Sequence, residues 1–319
     1  MDPGIVTDRT MKAVRIHAYG GPEVVQYEDA PAPLIGPDEI LVQVAAAGVN
    51  PADWRIRNGQ FQAMRPVQFP LTLGLDVAGL VDSVGEDVVS IAPGDAIIAR
   101  AEGAFAEYVV VRAPNVAAAP SKLPLEFGAA IPVAAGSASL LVSRIGPVEG
   151  KTILVQGAAG GVGGFVVQIA KLAGARVIGT ASGANADHVR GLGADEVVDY
   201  QIGSLTHLDG QIDVVVDLVG PKAQAKSWPL LREGGRLFSL ASPPDQLLAR
   251  AHNVTAMFGR GDGEIDGPLL ENIAYLVDSG KLHVSVGNML PLSQAASAMQ
   301  ASEKGHGRGK TLLSVEMFG

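Results

Sequence analysis

The stretch Thr152–Ala175, TILVQGAAGGVGGFVVQIAKLAGA, decides the fold of this chain. It opens with an apolar run typical of a strand buried on both faces of a parallel sheet. A turn with the spacing G-x-x-G-x-x-G follows at Gly157, Gly160 and Gly163, and a helical pattern completes the stretch. Glycines between a strand and a helix let the backbone approach a pyrophosphate, which the helix N-terminus then binds. The stretch therefore predicts a dinucleotide-binding unit rather than a plain packing turn.

The predicted secondary structure differs between the segments on the two sides of this turn. Toward the C-terminus, strand patterns alternate with helical ones, which indicates βαβ units and a parallel sheet. The strand patterns are Arg176–Ala181, Glu196–Tyr200, Ile212–Val219, Arg236–Ala241 and Asn253–Phe258. Toward the N-terminus, a small-residue stretch predicts a helix over Phe127–Ile145. Before that helix, short strands punctuated by Pro and Gly are typical of a small barrel-like β domain.

We therefore predict an α/β fold in which a β-rich domain encloses a doubly wound parallel sheet. The last strand pattern, GKTLLSVEMF from Gly309, is expected to return to the first domain. The predicted domains are residues 1–123 and 263–319 for the β-rich part and residues 124–262 for the inserted part.

Composition excludes several classes of protein. The 319 residues include 24 Lys and Arg against 33 Asp and Glu, a net charge of −9, so the broad basic face that nucleic acids require is missing. The absence of cysteine excludes disulfides, thiolate metal sites and a cysteine nucleophile. The uncharged stretch Thr152–Ala170 is long enough for a membrane span, but its glycines and glutamines argue against one. The first ten residues carry Asp2, Asp8 and Arg9 and no apolar segment, so a cytoplasmic protein is expected.

The end of the second strand of the dinucleotide unit bears on the choice of cofactor. NAD sites place Asp or Glu there, about 20 residues after the glycines, to bind the ribose hydroxyls. This chain has Ser182-Gly183-Ala184-Asn185 instead, which contains no acid. An uncharged end is compatible with a 2′-phosphate, which a carboxylate would repel, so we predict NADPH. The turn also lacks Lys and Arg, and Arg190 further along is equally well explained as a solvated charge.

Further stretches, in order along the chain, carry a family resemblance. They are MKAV from Met11, GVNPADWRIRNG from Gly48, GLDVAG from Gly74, GAFAEYVVV from Gly103, AAIPVAAGSAS from Ala129, LGADEVVDY from Leu192, DVVVDLVG from Asp213 and GRGKTLLSV from Gly307. With them the chain resembles the medium-chain dehydrogenase/reductase superfamily, in particular its zinc-free quinone oxidoreductase (zeta-crystallin-like) branch, near the alkenal/enone reductases. The resemblance implies a GroES-like catalytic domain enclosing a Rossmann domain.

Zinc ligands distinguish the branches of this superfamily. The zinc alcohol dehydrogenases carry an early cysteine ligand and a G-H-E motif, whereas this chain has Asn50 to Asp53 at the first place and Gly74-Leu75-Asp76 at the second. Because Leu75 offers no ligand atom, we predict no metal site and interpret Asp76 as a hydrogen-bonding carboxylate. Without a Lewis acid to stabilise an alkoxide, the expected reaction is hydride transfer from NADPH to a quinone or to the double bond of an α,β-unsaturated carbonyl.

The resemblance also implies the site residues. The catalytic residues would be Asn50 and Arg55. The residues contacting the cofactor would be Asn50, Ser137, Gly157, Ala158, Ala159, Gly160, Gly161, Val162, Ser182, Asn185, Tyr200, Leu240, Ala241 and Lys310. Ordinary roles stay open for some of them: a turn before proline for Asn50, a surface helix beside a packed Trp54 for Arg55, a helix interior for Ser137, a strand end for Tyr200 and a solvated charge for Lys310.

Two other functions remain open at this point. One is an enoyl reductase acting on a carrier-bound substrate, and the other is a non-catalytic NADPH-binding protein with a structural or regulatory role. The expected partner is a small-molecule quinone or enone, without nucleic acid or membrane. The resemblance further suggests a homodimer, in which the strand Asn253–Phe258 would pair across a two-fold axis.

Overall fold

The computed structural model describes residues 9–64, 66–305 and 307–317. The strands in this part of the chain are β1 (Thr10–Ile16), β2 (Val25–Pro31), β3 (Glu39–Val49), β4 (Leu71–Thr72), β5 (Asp76–Val84), β6 (Ala96–Arg100), β7 (Tyr108–Arg112), β8 (Val116–Ala118), β9 (Thr152–Gln156), β10 (Arg176–Ala181), β11 (Glu196–Asp199), β12 (Ile212–Asp217), β13 (Leu231–Ser239), β14 (Thr255–Phe258), β15 (Val286–Pro291) and β16 (Lys310–Ser314). The α-helices are α1 (Pro51–Arg57), α2 (Pro132–Ile145), α3 (Gly161–Leu172), α4 (Ala186–Gly191), α5 (Pro221–Ser227), α6 (Gln246–Ala251), α7 (Gly267–Asp278) and α8 (Ala295–Lys304).

The chain divides into two compact units. Unit 1 combines the segment up to Val133 with Ile265–Gly280 and the segment from Val286 onward, and unit 2 combines Ala134–Glu264 with Lys281–Ser285. The domain limits given from the sequence, at residues 123 and 262, stay a prediction about functional domains. None of the helices in the described part of the chain is long and apolar enough to cross a lipid bilayer.

Unit 2 contains a six-stranded sheet in the order β11-β10-β9-β12-β13-β14. Every neighbouring pair is parallel, which confirms the predicted doubly wound sheet. Its central strands β9 and β12 are almost wholly buried, because helices cover both faces of such a sheet. The carboxyl ends of its strands therefore form one edge, where ligands of open α/β sheets bind. β14 is an outer strand of the sheet.

Unit 1 is built around the long strand β3. It pairs antiparallel with β5, β7 and β16 inside a seven-stranded sheet, and β1, β2 and β4 form a second sheet. The last strand thus returns to the first part of the chain, as the alternating pattern from Gly309 predicted. Side chains such as Val42, Val77, Phe105 and Met299 fill the core of this unit, a β-rich arrangement that agrees with the predicted barrel-like domain.

Two elements differ from the sequence-based prediction by more than two residues at one end. The predicted helix over Phe127–Ile145 is a 3-10 helix over Leu125–Ala130 followed by α2. Proline restricts the residue before it and cannot donate to the preceding turn, so the α-helix begins only at Pro132. β13 begins at Leu231 rather than Arg236, because a register shift against β12 accommodates Gly234 within the strand.

Candidate functional site

The glycine turn, by which we mean Gly157–Gly163, joins β9 to α3 in unit 2. Gly157 has φ of +78°, a conformation that side chains disfavour. A Cβ on Gly163 would lie 2.1 Å from the Gly157 carbonyl oxygen, so only glycine lets the first turn of α3 pack this closely on the strand. Gly160 precedes the helix in an extended conformation and no side-chain cap covers its N-terminus.

The turn has a buried side and an open side. The Gly157 N–H donates to Thr180 Oγ1 at 3.3 Å and the Ala158 N–H donates to the Thr180 carbonyl at 3.1 Å, which ties the turn to β10. Ala158 and Ala159 are buried, whereas Gly160 to Val162 are half-exposed. The first N–H groups of an α-helix lack acceptors within the helix, so this open side fits the pyrophosphate of a dinucleotide.

The carboxyl end of β10 holds the residues predicted to surround the adenosine ribose. Asn185 Nδ2 donates to Ser182 Oγ at 3.2 Å, and Tyr200 is 44% exposed. The structure adds Asp199, whose Oδ2 would lie 2.8 Å from a Cβ on Gly183. The sequence analysis missed this acid because it belongs to the third strand of the unit rather than the second.

The carboxyl end of β13 carries Leu240 and Ala241, the residues predicted to flank the nicotinamide. A buried Asp217 holds this end in place: its Oδ2 accepts from Ser239 Oγ at 2.7 Å and from Gln224 Nε2 at 2.8 Å. Its backbone carbonyl accepts from the Leu240 N–H at 3.0 Å. The sequence signal for Asp217 was an acid at the end of an apolar strand, where a buried carboxylate needs several donors.

Ser137, the remaining residue assigned to the cofactor in unit 2, lies inside α2 and is 7% exposed. Its contact with a cofactor stays a prediction, as does that of each residue assigned from the resemblance.

Three strand ends of unit 1 bring together Asn50, Asp76 and Lys310, which we call the Asn50 cluster. Asn50 follows β3, Asp76 begins β5 and Lys310 begins β16. The Lys310 ammonium donates to Asn50 Oδ1 at 2.7 Å, to Asp76 Oδ2 at 2.9 Å and to the Val49 carbonyl at 3.1 Å. The other Asp76 oxygen accepts from the Val133 N–H at 2.6 Å. Asp76 is therefore a hydrogen-bonding carboxylate, as interpreted from the sequence.

Hydrogen bonding fixes the orientation of the Asn50 carboxamide. Its Nδ2 donates both protons, to Asp76 Oδ2 at 2.7 Å and to the Gly48 carbonyl at 3.1 Å. Its Oδ1 accepts from the Lys310 ammonium at 2.7 Å. Lys310 is 5% exposed, so the alternative of a solvated charge is wrong, and its three protons are directed at protein acceptors.

Asp53 lies beside this cluster at the start of α1 and is fully buried. Its Oδ2 accepts from the Asn50 N–H at 2.6 Å, and among the described residues none donates to its Oδ1. Burial raises the pKa of the Asp53 carboxyl to about 7, with the Asp76 charge acting in the same direction and the Asn50 N–H and Lys310 opposing it. Asp53 thus changes charge near neutral pH.

Two arginines of α1 look alike in the sequence but have different surroundings in the structure. The Arg55 guanidinium lies 5.1 Å from the ring centre of Trp54, and burial lowers the pKa of this half-buried side chain. Trp54 packs against the core of unit 1. Arg57 is 1% exposed and binds Glu303 of α8 at 3.0 Å. Sequence reasoning missed Arg57 because an isolated arginine in a helix is usually a solvated one.

A pocket that is open to solvent lies in unit 1, next to the residues that flank Asp76. Its walls are mostly apolar and include Tyr19, Ile56, Phe61, Leu73 and Leu75. None of the described residues that line it is a lysine or arginine. A mostly apolar lining of this kind suits the apolar part of a small organic molecule.

The polar groups of unit 1 do not fit a metal ion. Over residues 9–64, 66–305 and 307–317, no three His, Cys, Asp or Glu side chains come together as a metal site requires. Leu75 contributes no ligand atom, and the Asp76 carboxylate is occupied by an ammonium, a carboxamide and a backbone N–H. Such a donor set differs from the Cys and His ligands that zinc prefers.

Comparison with known proteins extends these observations. Residues 36–121 match the family described as "Alcohol dehydrogenase GroES-like domain", and residues 192–313 match the one described as "Zinc-binding dehydrogenase". A chloroplastic quinone-oxidoreductase homolog of Spinacia oleracea is 32% identical, over 96% of this chain and 98% of the relative. A chloroplastic NADPH-dependent alkenal/one oxidoreductase of Arabidopsis thaliana is 31% identical, over 96% and 80%. The solved quinone oxidoreductase from Coxiella burnetii superposes with a TM-score of 0.88 at 28% identity, covering 97% of this chain and 100% of that one.

Proposed function

This chain belongs to the medium-chain dehydrogenase/reductase superfamily, a family of pyridine-nucleotide-dependent oxidoreductases related here to quinone oxidoreductases, and on that premise we propose that it is an NADPH-dependent, zinc-independent reductase of quinones or α,β-unsaturated carbonyls. The names of the spinach and Arabidopsis relatives support both acceptor classes. NADPH as the donor is supported by the Arabidopsis relative's name.

The observation that carries the proposal is the binding of Lys310 to Asn50 and Asp76. These two side chains belong to the stretches Asn50–Asp53 and Gly74–Asp76, in which the zinc dehydrogenases carry the cysteine ligand and the G-H-E motif. Each gives an oxygen atom to the same ammonium, at 2.7 and 2.9 Å. A lysine that donates all three protons within the protein has none left to polarise a substrate alcohol. The arrangement therefore favours acceptors that conjugation has already polarised.

The two units contribute different parts of this reaction. In unit 2, the open side of the glycine turn binds the pyrophosphate, and Asp217 fixes the segment with Leu240 and Ala241. A nicotinamide nucleotide bound there supplies the hydride. In unit 1, the apolar pocket, which Ile56 lines, holds the acceptor. Arg55, the neighbour of Ile56 on α1, lies outside that lining and is proposed to orient the acceptor oxygen from its edge. The Nδ2 protons of Asn50 are committed to Asp76 and Gly48, so Asn50 would act in this role through Oδ1, as a hydrogen-bond acceptor.

Oxidation of NADPH by a panel of acceptors tests the proposal. After dialysis against a chelator, para-benzoquinone, phenanthrenequinone and a medium-chain vinyl ketone should each be reduced, and ethanol with NADP⁺ should give no reaction. The same assay with added Zn²⁺ is the control, and it should show no gain in rate. Turnover of ethanol, or a requirement for the metal, would contradict the zinc-independent mechanism. Failure with every conjugated acceptor despite NADPH binding would favour a non-catalytic nucleotide-binding protein.

We also propose that the chain forms a homodimer through β14. This strand is an outer strand of its sheet and carries Phe258, which is 49% exposed. Unpaired strand edges of this kind associate readily with a second copy.

A further inference from the structure

The edge of unit 2 that is expected to hold the adenosine ribose contains a carboxylate from a neighbouring strand. β10 and β11 run parallel, and Ala181 at the end of β10 pairs with Asp199 at the end of β11. The Asp199 carboxylate lies against Gly183, because a Cβ there would be 2.8 Å from Oδ2. The other oxygen, Oδ1, accepts from the Gln201 N–H at 2.9 Å, which fixes the carboxylate in this orientation.

Gly183 is at the position where dinucleotide sites read the ribose. It follows the last glycine of the turn, Gly163, by about the 20 residues that separate the glycines from the acid of NAD-binding sites. That acid accepts a hydrogen bond from the ribose 2′-hydroxyl. The sequence has glycine at this position, but the fold supplies the carboxylate there through Asp199.

The two arginines of β10 and α4 pair with other carboxylates. The guanidinium of Arg190 binds Asp187 Oδ1 at 2.7 Å, and Arg176 binds Glu196 at 3.0 Å. The turn from residue 182 to residue 185 contains neither Lys nor Arg. A 2′-phosphate, which carries close to two negative charges at neutral pH, would therefore lie beside the carboxylate of Asp199 with no cation supplied by this turn.

We propose that Asp199 determines the selectivity between the two nicotinamide nucleotides. Its carboxylate accepts a hydrogen bond from the 2′-hydroxyl of NADH and repels the 2′-phosphate of NADPH, so that NADH competes with NADPH for the same site. The proposal rests on the proposed function only in requiring a nicotinamide nucleotide at the glycine turn. It makes Asp199 a residue that limits the preference for NADPH.

Fluorescence titration of the full chain with NADPH and with NADH tests this role through Asp199→Asn. The asparagine keeps the acceptor for Gln201 and removes the charge. Its Kd for NADPH should fall about tenfold, the effect of one like charge a few ångström away in a solvated site, while its Kd for NADH should rise. Asp209→Asn is the matched control, because it makes the same change of net charge at an exposed turn before β12, at the opposite end of the strands. It should leave the ratio of the two Kd values unchanged.

The salt dependence of the ratio of the two Kd values is a second measurement. A merely structural role of Asp199 would not change it. Screening weakens repulsion between exposed charges, so raising the salt should shift the wild-type ratio toward NADPH more strongly than it shifts the Asp199→Asn ratio. Equal changes in both Kd values, or a ratio that Asp209→Asn moves as much, would overturn the proposal for Asp199. Absence of binding of either nucleotide to the wild type would overturn the proposed function itself.

Discussion

The glycine turn of unit 2 and the Asn50 cluster of unit 1 reach a defined geometry in opposite ways. The turn depends on side chains that are missing: a single Cβ at Gly163 would overlap the Gly157 carbonyl, at 2.1 Å. The cluster depends on side chains that are present, since its buried charges and amide protons are directed at one another. Removing a side-chain group should therefore destabilise the Asn50 cluster, whereas adding one should destabilise the glycine turn. Each can be perturbed by a substitution that leaves the other unchanged.

Removal of the Lys310 charge is expected to give the largest effect. Lys310→Met leaves the buried Asp76 carboxylate without its counter-ion, and loss of one partner of a buried pair costs about 3–5 kcal/mol. Urea denaturation measures the free energy of unfolding. The double variant Lys310→Met/Asp76→Asn, which removes both charges, should regain most of the loss.

The control for this prediction is an exposed ion pair of similar length. Lys171 and Asp195 approach to 2.5 Å with side chains that are 41% and 36% exposed. Lys171→Met should cost no more than about 1 kcal/mol, because water screens such pairs. A loss at Lys310 as small as that at Lys171 would show that the Asn50 cluster contributes no more than a surface pair.

The glycine turn should respond to a single added methyl group. Gly163→Ala forces the backbone of α3 away from β9, and overpacking of this kind costs about 1–3 kcal/mol. NADPH binding, followed by fluorescence, should weaken at the same time because the N–H groups of the helix move. Gly160→Ala is the matched control: its Cβ would lie 3.4 Å from the same carbonyl, an ordinary contact. Equal losses of stability in the two variants would argue against the close packing of α3 on the turn.

The last effect concerns pH and distinguishes Asp53 from the rest of unit 1. Its raised pKa means that the folded chain binds a proton more tightly than the unfolded chain, so its contribution to stability is present at acidic pH and is lost as the pH rises through about 7. The free energy of unfolding of the wild type minus that of Asp53→Asn should therefore decrease from about pH 5 to about pH 8. Urea denaturation at several pH values measures this difference, and a flat or rising difference would contradict a raised pKa.

The same contrast explains what the sequence could reveal. The glycine turn is formed by residues that are neighbours in the sequence. The parallel sheet and a dinucleotide site could therefore be predicted from about 25 residues. The Asn50 cluster joins residues whose contacts span 234 and 260 positions of the chain. Sequence reasoning named Asn50, Asp76 and Lys310 separately and left Lys310 open between two roles, because nothing local distinguishes a buried lysine from a solvated one.

Contacts between segments that are distant in the sequence explain the other residues that escaped prediction. Asp199 reaches Gly183 only because β11 lies beside β10 in register, and a search along β10 alone found no acid. Arg57 is buried because α8, formed from a distant segment, provides Glu303. Pro132 is the opposite case: the start of α2 follows from a local rule, the loss of a backbone donor at proline, and the sequence contained the information needed to place it.

The pairing of β16 with β3 has a consequence for how the molecule is made. A ribosome synthesises the six strands of the parallel sheet before Lys310, so the nascent chain can complete that sheet while Asp76 still lacks the ammonium that neutralises it. Unit 1 can bury Asp76 at low cost only after β16 has been added. Folding of the polypeptide should therefore end at the Asn50 cluster, after the parallel sheet of unit 2 has formed.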